Sequence, residues 1–357
     1  MLSVLSKLTK NDFTSATLLA RMNESFQKRA EKSSDAISGD YQQKINAIKM
    51  NADKWRKVES GIGKATSEIS SVLGEAKSIR SKLDNMIQAI NQATQVTTGD
   101  TNYEGYASTF DSLLKGLISS AEKPGDSVNL LGKGTSRYTF DISIYNETHT
   151  VNGSYMGSDY YITDTAGMRW QPDRAAKVLM RYSDYPNDPL PGDSANFETG
   201  LRLDSISGDT VNFTTGPDTG APQSFSGTIT RSGLEVMDSI FYDGLATDAG
   251  RTRALADLNA AKEAVNIEVS RYEAELTMAK FYENRAVAES KGITAETNNL
   301  LIKNADAVNK AQNKLQLEFN GVQSKLARAM ALKNNYGNML TPFIKNKFAK
   351  SFVNIFA

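Results

Sequence analysis

The sequence predicts an α+β fold in which long N- and C-terminal antiparallel helices form a coiled-coil rod and a β-rich domain is inserted between them. Three observations predict it. Ile48, Trp55, Ile62, Ile69, Ala76, Leu83 and Ile90 stand seven residues apart without interruption. Leu258, Val265, Tyr272, Ala279, Ala286, Ile293 and Leu300 repeat that spacing near the other end of the chain. A seven-residue apolar repeat keeps one seam of a helix facing a partner, because seven residues make close to two helical turns. Third, none of the eight prolines falls in 1–123 or in 223–341. Proline inside a helix removes a hydrogen bond and clashes with the preceding turn, at about 3 kcal/mol or more, so its absence marks those stretches as helical.

Taken in order, residues 1–40 predict a core helix with Leu5, Leu8, Phe13, Leu18, Leu19, Met22 and Phe26 as its apolar positions. Ser38-Gly39-Asp40 reads as a break. Residues 41–125 form the N-terminal part of the rod, with the seam helix over 41–95. At 1.5 Å per residue that helix is roughly 80 Å long, a length usual in coiled coils and filaments. A turn at Thr97-Thr98-Gly99-Asp100 leads into a second helix over 103–121, burying Tyr106, Phe110, Leu113, Leu114, Leu117 and Ile118, and Lys123-Pro124-Gly125-Asp126 stops it.

Residues 126–247 change character, with most of the glycines and all but two of the prolines. The alternation in Arg137–Ile144 and Ser224–Thr230 reads as half-buried strands, with Ala175–Tyr182, Gly200–Ser205 and Val211–Thr214 as further candidates. This predicts an antiparallel β-rich surface domain with one short helix. Residues 248–340 return to helix as the C-terminal part of the rod, interrupted at Gly292-Ile293-Thr294, with a continuing seam through Leu301, Val308, Leu315, Val322 and Ala329. Pro342 closes it. Residues 341–357 are an aromatic and basic tail with Phe343, Phe348, Phe352 and Phe356 among Lys345, Lys347 and Lys350. That mixture suits membrane contact or packing inside a filament, and the rest of the chain favours the second.

Composition narrows the function classes. The 41 basic and 41 acidic residues balance, which gives no electrostatic reason to bind nucleic acid or acidic lipid. There is no cysteine, so disulfides and thiolate chemistry are excluded. The start MLSVLSKLTKNDF lacks the apolar core of a cleaved signal peptide, and no run of 18 apolar residues would insert stably in a bilayer. His149, the single histidine, cannot build a multi-histidine metal site and is read as a solvated strand or loop residue. The aspartates Asp159, Asp164, Asp173, Asp184, Asp188, Asp193, Asp204, Asp209 and Asp218 lack calcium-loop spacing and read as turn formers. The acceptor triplets at Asn146, Asn152 and Asn212 are of a kind frequent by chance. Tyr155, Tyr160, Tyr161, Trp170, Tyr182 and Tyr185 form an aromatic stretch read as a small β core, and Trp55 as a core anchor of the rod. No catalytic, metal or cofactor set emerges, and the expectation is a non-enzymatic chain without cofactors.

In their order along the chain, Ser60–Ala93, Phe110–Gly134 ending in Asn129-Leu130-Leu131-Gly132, Ala254–Asn266 and Ile293–Gln312 resemble bacterial flagellin or a hook–filament junction relative. The first 40 residues lack the arginine-containing serine-glycine signature that precedes the main helix in flagellin, and the C-terminus continues through Thr341-Pro342-Phe343. The resemblance implies a subunit that polymerises into an extracellular helical filament, its terminal helices in the core and its central domain exposed. It also implies type III export without a cleaved signal. The implied partners are copies of itself, an export chaperone, and hook-associated or capping proteins. The assembly seam expected on this reading is Ile48, Trp55, Ile62, Ile69, Leu83, Ile90, Leu258, Val265, Tyr272, Ile293, Leu300, Leu301, Val308, Leu315 and Val322. The alternatives within this class are a hook-associated junction or sheath protein. From another class comes an adhesin or carbohydrate-binding module on a helical stalk.

Overall fold

The seven-residue seams and the proline-free ends do become long helices. A computed structural model describes residues 2–95, 103–123, 128–134, 136–142 and 147–353, with side chains from 17 to 336 and at 338 and 339. The fold is α+β, with α1 (Leu2–Thr94) and α3 (Asp248–Val353) before and after α2 (Tyr103–Glu122) and, among the described residues, nine strands. The expected turn at 97–100, the Pro124-Gly125-Asp126 stop, Ser143, Ile144 and Asn146 lie outside the described residues, as do the side chains of Leu5, Leu8, Phe13 and the tail.

Three expected helix ends are corrected. α1 runs through Ser38-Gly39-Asp40, and α3 runs through Gly292-Ile293-Thr294 and Pro342. A glycine costs a helix only about 1 kcal/mol relative to alanine, and even proline about 3 kcal/mol. A long helix whose propagation is supported on both sides absorbs such local costs.

The chain divides into two compact units. The first contains Met1–Arg56 and Ala288–Ala357. Here the two helices pair antiparallel: the rings of Phe26 and Phe319 lie 4.6 Å apart, and Gln312 Nε2 donates to Ser34 Oγ at 3.3 Å. The less exposed positions recur every eleven residues, as Phe26, Ile37 and Ile48, or Ala30, Tyr41 and Ala52. On α3 the same interval links Ile293, Asn304, Leu315 and Leu326, and also Thr297, Val308, Phe319 and Met330. An eleven-residue repeat averages about 3.67 residues per turn, close to the natural helix, so the contact stripe stays on one side with little supercoiling. The expected seven-residue continuation therefore drifts off the stripe: Leu301 is 49% exposed and Val322 46% exposed.

The second unit is Lys57–Val287. Its α1 segment follows the seven-residue repeat, with Ile62, Ile69, Ala76, Leu83 and Ile90 fully buried. A companion line, Val58, Ala65, Val72, Ile79, Met86 and Ala93, is buried beside it and completes a coiled-coil face. On α3, Leu258, Val265, Tyr272, Ala279 and Ala286 are buried with Ala254 and Ala261. The pairing is antiparallel, with Thr66 donating to Glu283 at 3.0 Å, Lys77 paired with Glu273 at 2.7 Å and Lys262 with Asp84 at 2.5 Å. α2 turns Phe110, Leu114, Leu117 and Ala121 inward. Of the expected positions, Tyr106, Leu113 and Ile118 are partly exposed.

The described strands of this unit form two antiparallel sheets. β1 (Arg137–Ile142) pairs with β2 (Glu147–Asn152). The larger sheet has the order β6-β5-β4-β3-β9-β8-β7. It comprises β3 (Ser158–Asp164), β4 (Arg169–Asp173), β5 (Val178–Asp184), β6 (Asp188–Asn196), β7 (Leu201–Ser207), β8 (Thr210–Thr215) and β9 (Gln223–Gly233). β2, β3, β4 and β6 were not expected from the sequence. β6 carries Pro189 and Pro191, which a strand tolerates at a sheet edge because its outer N–H groups have no ladder partner. The core of the large sheet is Trp170, its ring 5.1 Å from Phe213 and 4.7 Å from Phe225. The indole N–H is satisfied by Asp164 at 3.0 Å, and Arg181 bonds the same carboxylate oxygen at 2.7 Å. Burial pushes the Asp164 carboxyl up, but the Met168 N–H, Trp170 and Arg181 outweigh it and hold it below the usual carboxylate range.

A short helical segment, Ser239–Leu245, follows β9 and leads into α3. Gly250, in the first turn of α3, is packed so closely that a Cβ there would lie 2.1 Å from the Tyr242 carbonyl oxygen. Because the clashing atom is backbone, Gly250→Ala is expected to displace this segment and destabilise the unit by about 1–3 kcal/mol. A urea titration of the variant checks this, and an unchanged midpoint would contradict the packing.

Candidate functional site

Three features of the second unit join the helices to the β strands. The first is built by Asn129-Leu130-Leu131-Gly132. Asn129 Nδ2 donates to the Ala121 carbonyl at the end of α2, and its Oδ1 accepts from the Leu131 and Gly132 N–H groups at 2.9 and 2.8 Å. One side chain thus caps a helix end and closes the following turn. Leu130 and Leu131 are 2% exposed, and the Leu130 carbonyl accepts from Tyr272 Oη at 3.3 Å and from the Ser154 N–H at 2.8 Å. The turn therefore sits against the seam residue Tyr272 of α3.

The second feature is His149. The sequence reading makes it a solvated residue; instead its ring, on β2, has Nε2 2.7 Å from Glu275 Oε2 of α3. Phe140 meets its ring edge-on at 5.4 Å. Beside it, Arg271 of α3 donates to the Asn152 carbonyl at 2.8 Å, so the small sheet is held on the helix by two polar contacts.

The third is a cleft of about 740 Å³ bounded by α2, the turns after β4 and β6, and the start of the Ser239–Leu245 segment. At its base Asp238, 4% exposed, accepts from Tyr160 Oη at 2.7 Å and from Arg174 Nε at 3.1 Å. Asp111 of α2 accepts from the Ser239 N–H at 2.7 Å and from Ser239 Oγ at 2.6 Å. Burial, with the charge of Asp238 behind it, pushes the Asp111 carboxyl up to about 7. The folded value lies above the ordinary value of about 3.9, so the protonated acid is the form the fold favours. The stability linked to this group is complete below the ordinary carboxylate range and is lost as pH rises through about 7. Asp111→Asn keeps an acceptor for the Ser239 N–H and removes the charge. The variant is expected to show a flatter stability profile between about pH 4 and about pH 7, by on the order of 2 kcal/mol. Urea midpoints across that range measure it, and parallel profiles would refute the assignment.

No protein-family model matches the chain. No curated protein matches it either. Among solved structures, the flagellar junction protein FlgL from Legionella pneumophila is 14% identical, with a TM-score of 0.35 over 73% of this chain and 99% of that one. FlgL from Xanthomonas campestris is 10% identical, with a TM-score of 0.25 over 71% of this chain and 98% of that one. The flagellar hook associated protein-3 from Legionella pneumophila is 13% identical, with a TM-score of 0.29 over 73% and 98% of the two chains.

The expected seam residues divide by unit. Ile62, Ile69, Leu83, Ile90, Leu258, Val265 and Tyr272 are fully buried. Ile48, Trp55, Ile293, Leu300, Val308 and Leu315 are partly exposed, and Leu301 and Val322 are exposed. The aromatic stretch is not one core: Tyr160 and Trp170 are buried, whereas Tyr185 is 40% exposed. Asn152 is exposed at the end of β2, and Asn212 donates to Ser205 across the β7–β8 pair. Among the described residues no three His, Cys, Asp or Glu side chains converge as a metal site, and no helix is long and apolar enough to cross a membrane. Sequence reasoning missed the cleft altogether. Asp111, Arg174 and Asp238 lie far apart in the chain, and no spacing rule links them.

Proposed function

We propose that this chain is a structural subunit of the bacterial flagellum, working at the hook–filament junction. The observation that carries the reading is the arrangement of the ends. In each unit the N-terminal helix pairs antiparallel with the C-terminal one, and the β-rich segment is inserted between them. The Asn129-Leu130-Leu131-Gly132 turn, part of the flagellin resemblance, supports it by linking α2 and α3.

The mechanism is burial of apolar helix surface between subunits, with no chemical step. The first unit leaves such surface open: Ile302 is 65% exposed, Leu317 72%, Leu332 56% and Met339 68%. Ile302 precedes Asn304 of the contact stripe by two residues, about 200° around the helix, and so faces away from α1.

The polymerising filament subunit is the second reading, favoured by the flagellin-like order of the four segments. The missing serine-glycine signature in the first 40 residues and the continuation through Thr341-Pro342-Phe343 depart from flagellin itself. Electron microscopy of the purified full chain, alone and with isolated hooks, separates the two readings. On the junction reading the chain alone stays unpolymerised and decorates hook ends. Uniform helical filaments of the chain alone would replace it with the filament reading. Neither filaments nor hook decoration would remove the flagellar assignment and turn attention to a displayed binding module.

A further inference from the structure

The cleft beside α2 holds two carboxylates, Asp111 and Asp238, against one guanidinium, Arg174. Arg174 spends Nε on Asp238, while among the described residues its buried Nη2 has no hydrogen-bond partner. The other charges around the cleft are Glu104 and Lys115 on α2, Lys177 in the turn after β4, and Glu198 in the turn after β6. Lys177 and Glu198 pair with each other at 2.8 Å and are well exposed. With Asp111 ionised, the base of the cleft is therefore short of one positive charge. Phe197, Ile240 and Ala107 supply apolar wall, and the volume of about 740 Å³ suits an organic molecule rather than a bare ion.

We propose that this cleft binds a small molecule carrying an ammonium group, the ammonium facing Asp111 and Asp238. Free amino acids and amino sugars share this chemistry. Binding is coupled to the proton on Asp111, which the incoming cation displaces, so affinity rises with pH. The proposal stands apart from the flagellar reading, because no part of it needs a second subunit.

The test titrates the full chain with ethanolamine, and with ethylene glycol as its uncharged counterpart, following amide resonances near the cleft. Ethanolamine is expected to shift them, ethylene glycol is not, and the dissociation constant is expected to fall about tenfold from about pH 6 to about pH 8. Asp111→Asn is expected to weaken binding about tenfold at the higher pH and to remove the pH dependence. The pH series on the unaltered chain stands even if that variant fails to fold. D-glucosamine and glycine compared at one pH distinguish an amino sugar from an amino acid, and tighter binding of either supports the shared chemistry. Equal binding of ethylene glycol, no response to any amine, or an affinity that does not change with pH would overturn the proposal.

Discussion

Ile69→Asp is expected to unfold the paired helices of the second unit, whereas Leu301→Asp is expected to be nearly silent. Each residue belongs to an apolar seam counted by sevens, Ile69 on α1 and Leu301 on α3, yet Ile69 is 0% exposed and Leu301 is 49% exposed. Ile69 sits in a line with Ile62 and Ala76 and between Ala65 and Val72 of the companion line, all of them buried. Losing its apolar burial costs about 2–3 kcal/mol. The carboxylate that replaces it has no partner at that face, which adds several kcal/mol or forces the group to take up a proton. The total, more than about 4 kcal/mol, is a large part of the roughly 5–15 kcal/mol that holds an ordinary domain together. Leu301→Asp changes an exposed position and is expected to stay within about 0.5 kcal/mol. Urea titration followed by helical circular dichroism tests both. Equal effects of the two substitutions would mean that the seven-residue seam continues beyond Ala288 and that the eleven-residue stripe is wrong.

The contrast between those residues shows what was legible in the sequence. Strict spacing of large apolar residues located the buried seam from Ile62 to Ile90, because a heptad face shows directly in one chain. The companion line was less visible, since Ala65 and Ala93 are small and common in any helix. The stripe of the first unit was misread because its members include Asn304 and Thr297, which no apolar count selects. Gly39 and Gly292 looked like ends because glycine is a local signal, and length overrode it. In the β region, strands bounded by clear turns were found. β4 was missed because Pro172 falls inside it, and β6 because Pro189 and Pro191 look like loop residues until the sheet order puts that strand at an edge. The cleft was illegible for a different reason. Asp111 and Ser239 are 128 residues apart, and the bonds between them exist only once α2 packs on the segment before α3.

The double substitution Leu317→Asp with Leu332→Asp is expected to abolish assembly while leaving the isolated chain as stable as before. Leu317 is 72% exposed and Leu332 56% exposed, so neither change removes much burial within the subunit. If the outer face of α3 meets a neighbouring subunit, each leucine contributes about 1.5–3 kcal/mol there. Placing two carboxylates in that contact adds the cost of desolvating charge. A loss of about 3 kcal/mol already weakens association more than about 100-fold, and two sites together exceed that. Electron microscopy and sedimentation with isolated hooks measure the assembly, and a urea titration of the free chain measures its stability. Assembly lost at constant stability would assign this face to the subunit contact. Assembly retained would move the contact to another surface, and stability lost in the free chain would show that the face is covered within the molecule and is not free to meet a neighbour.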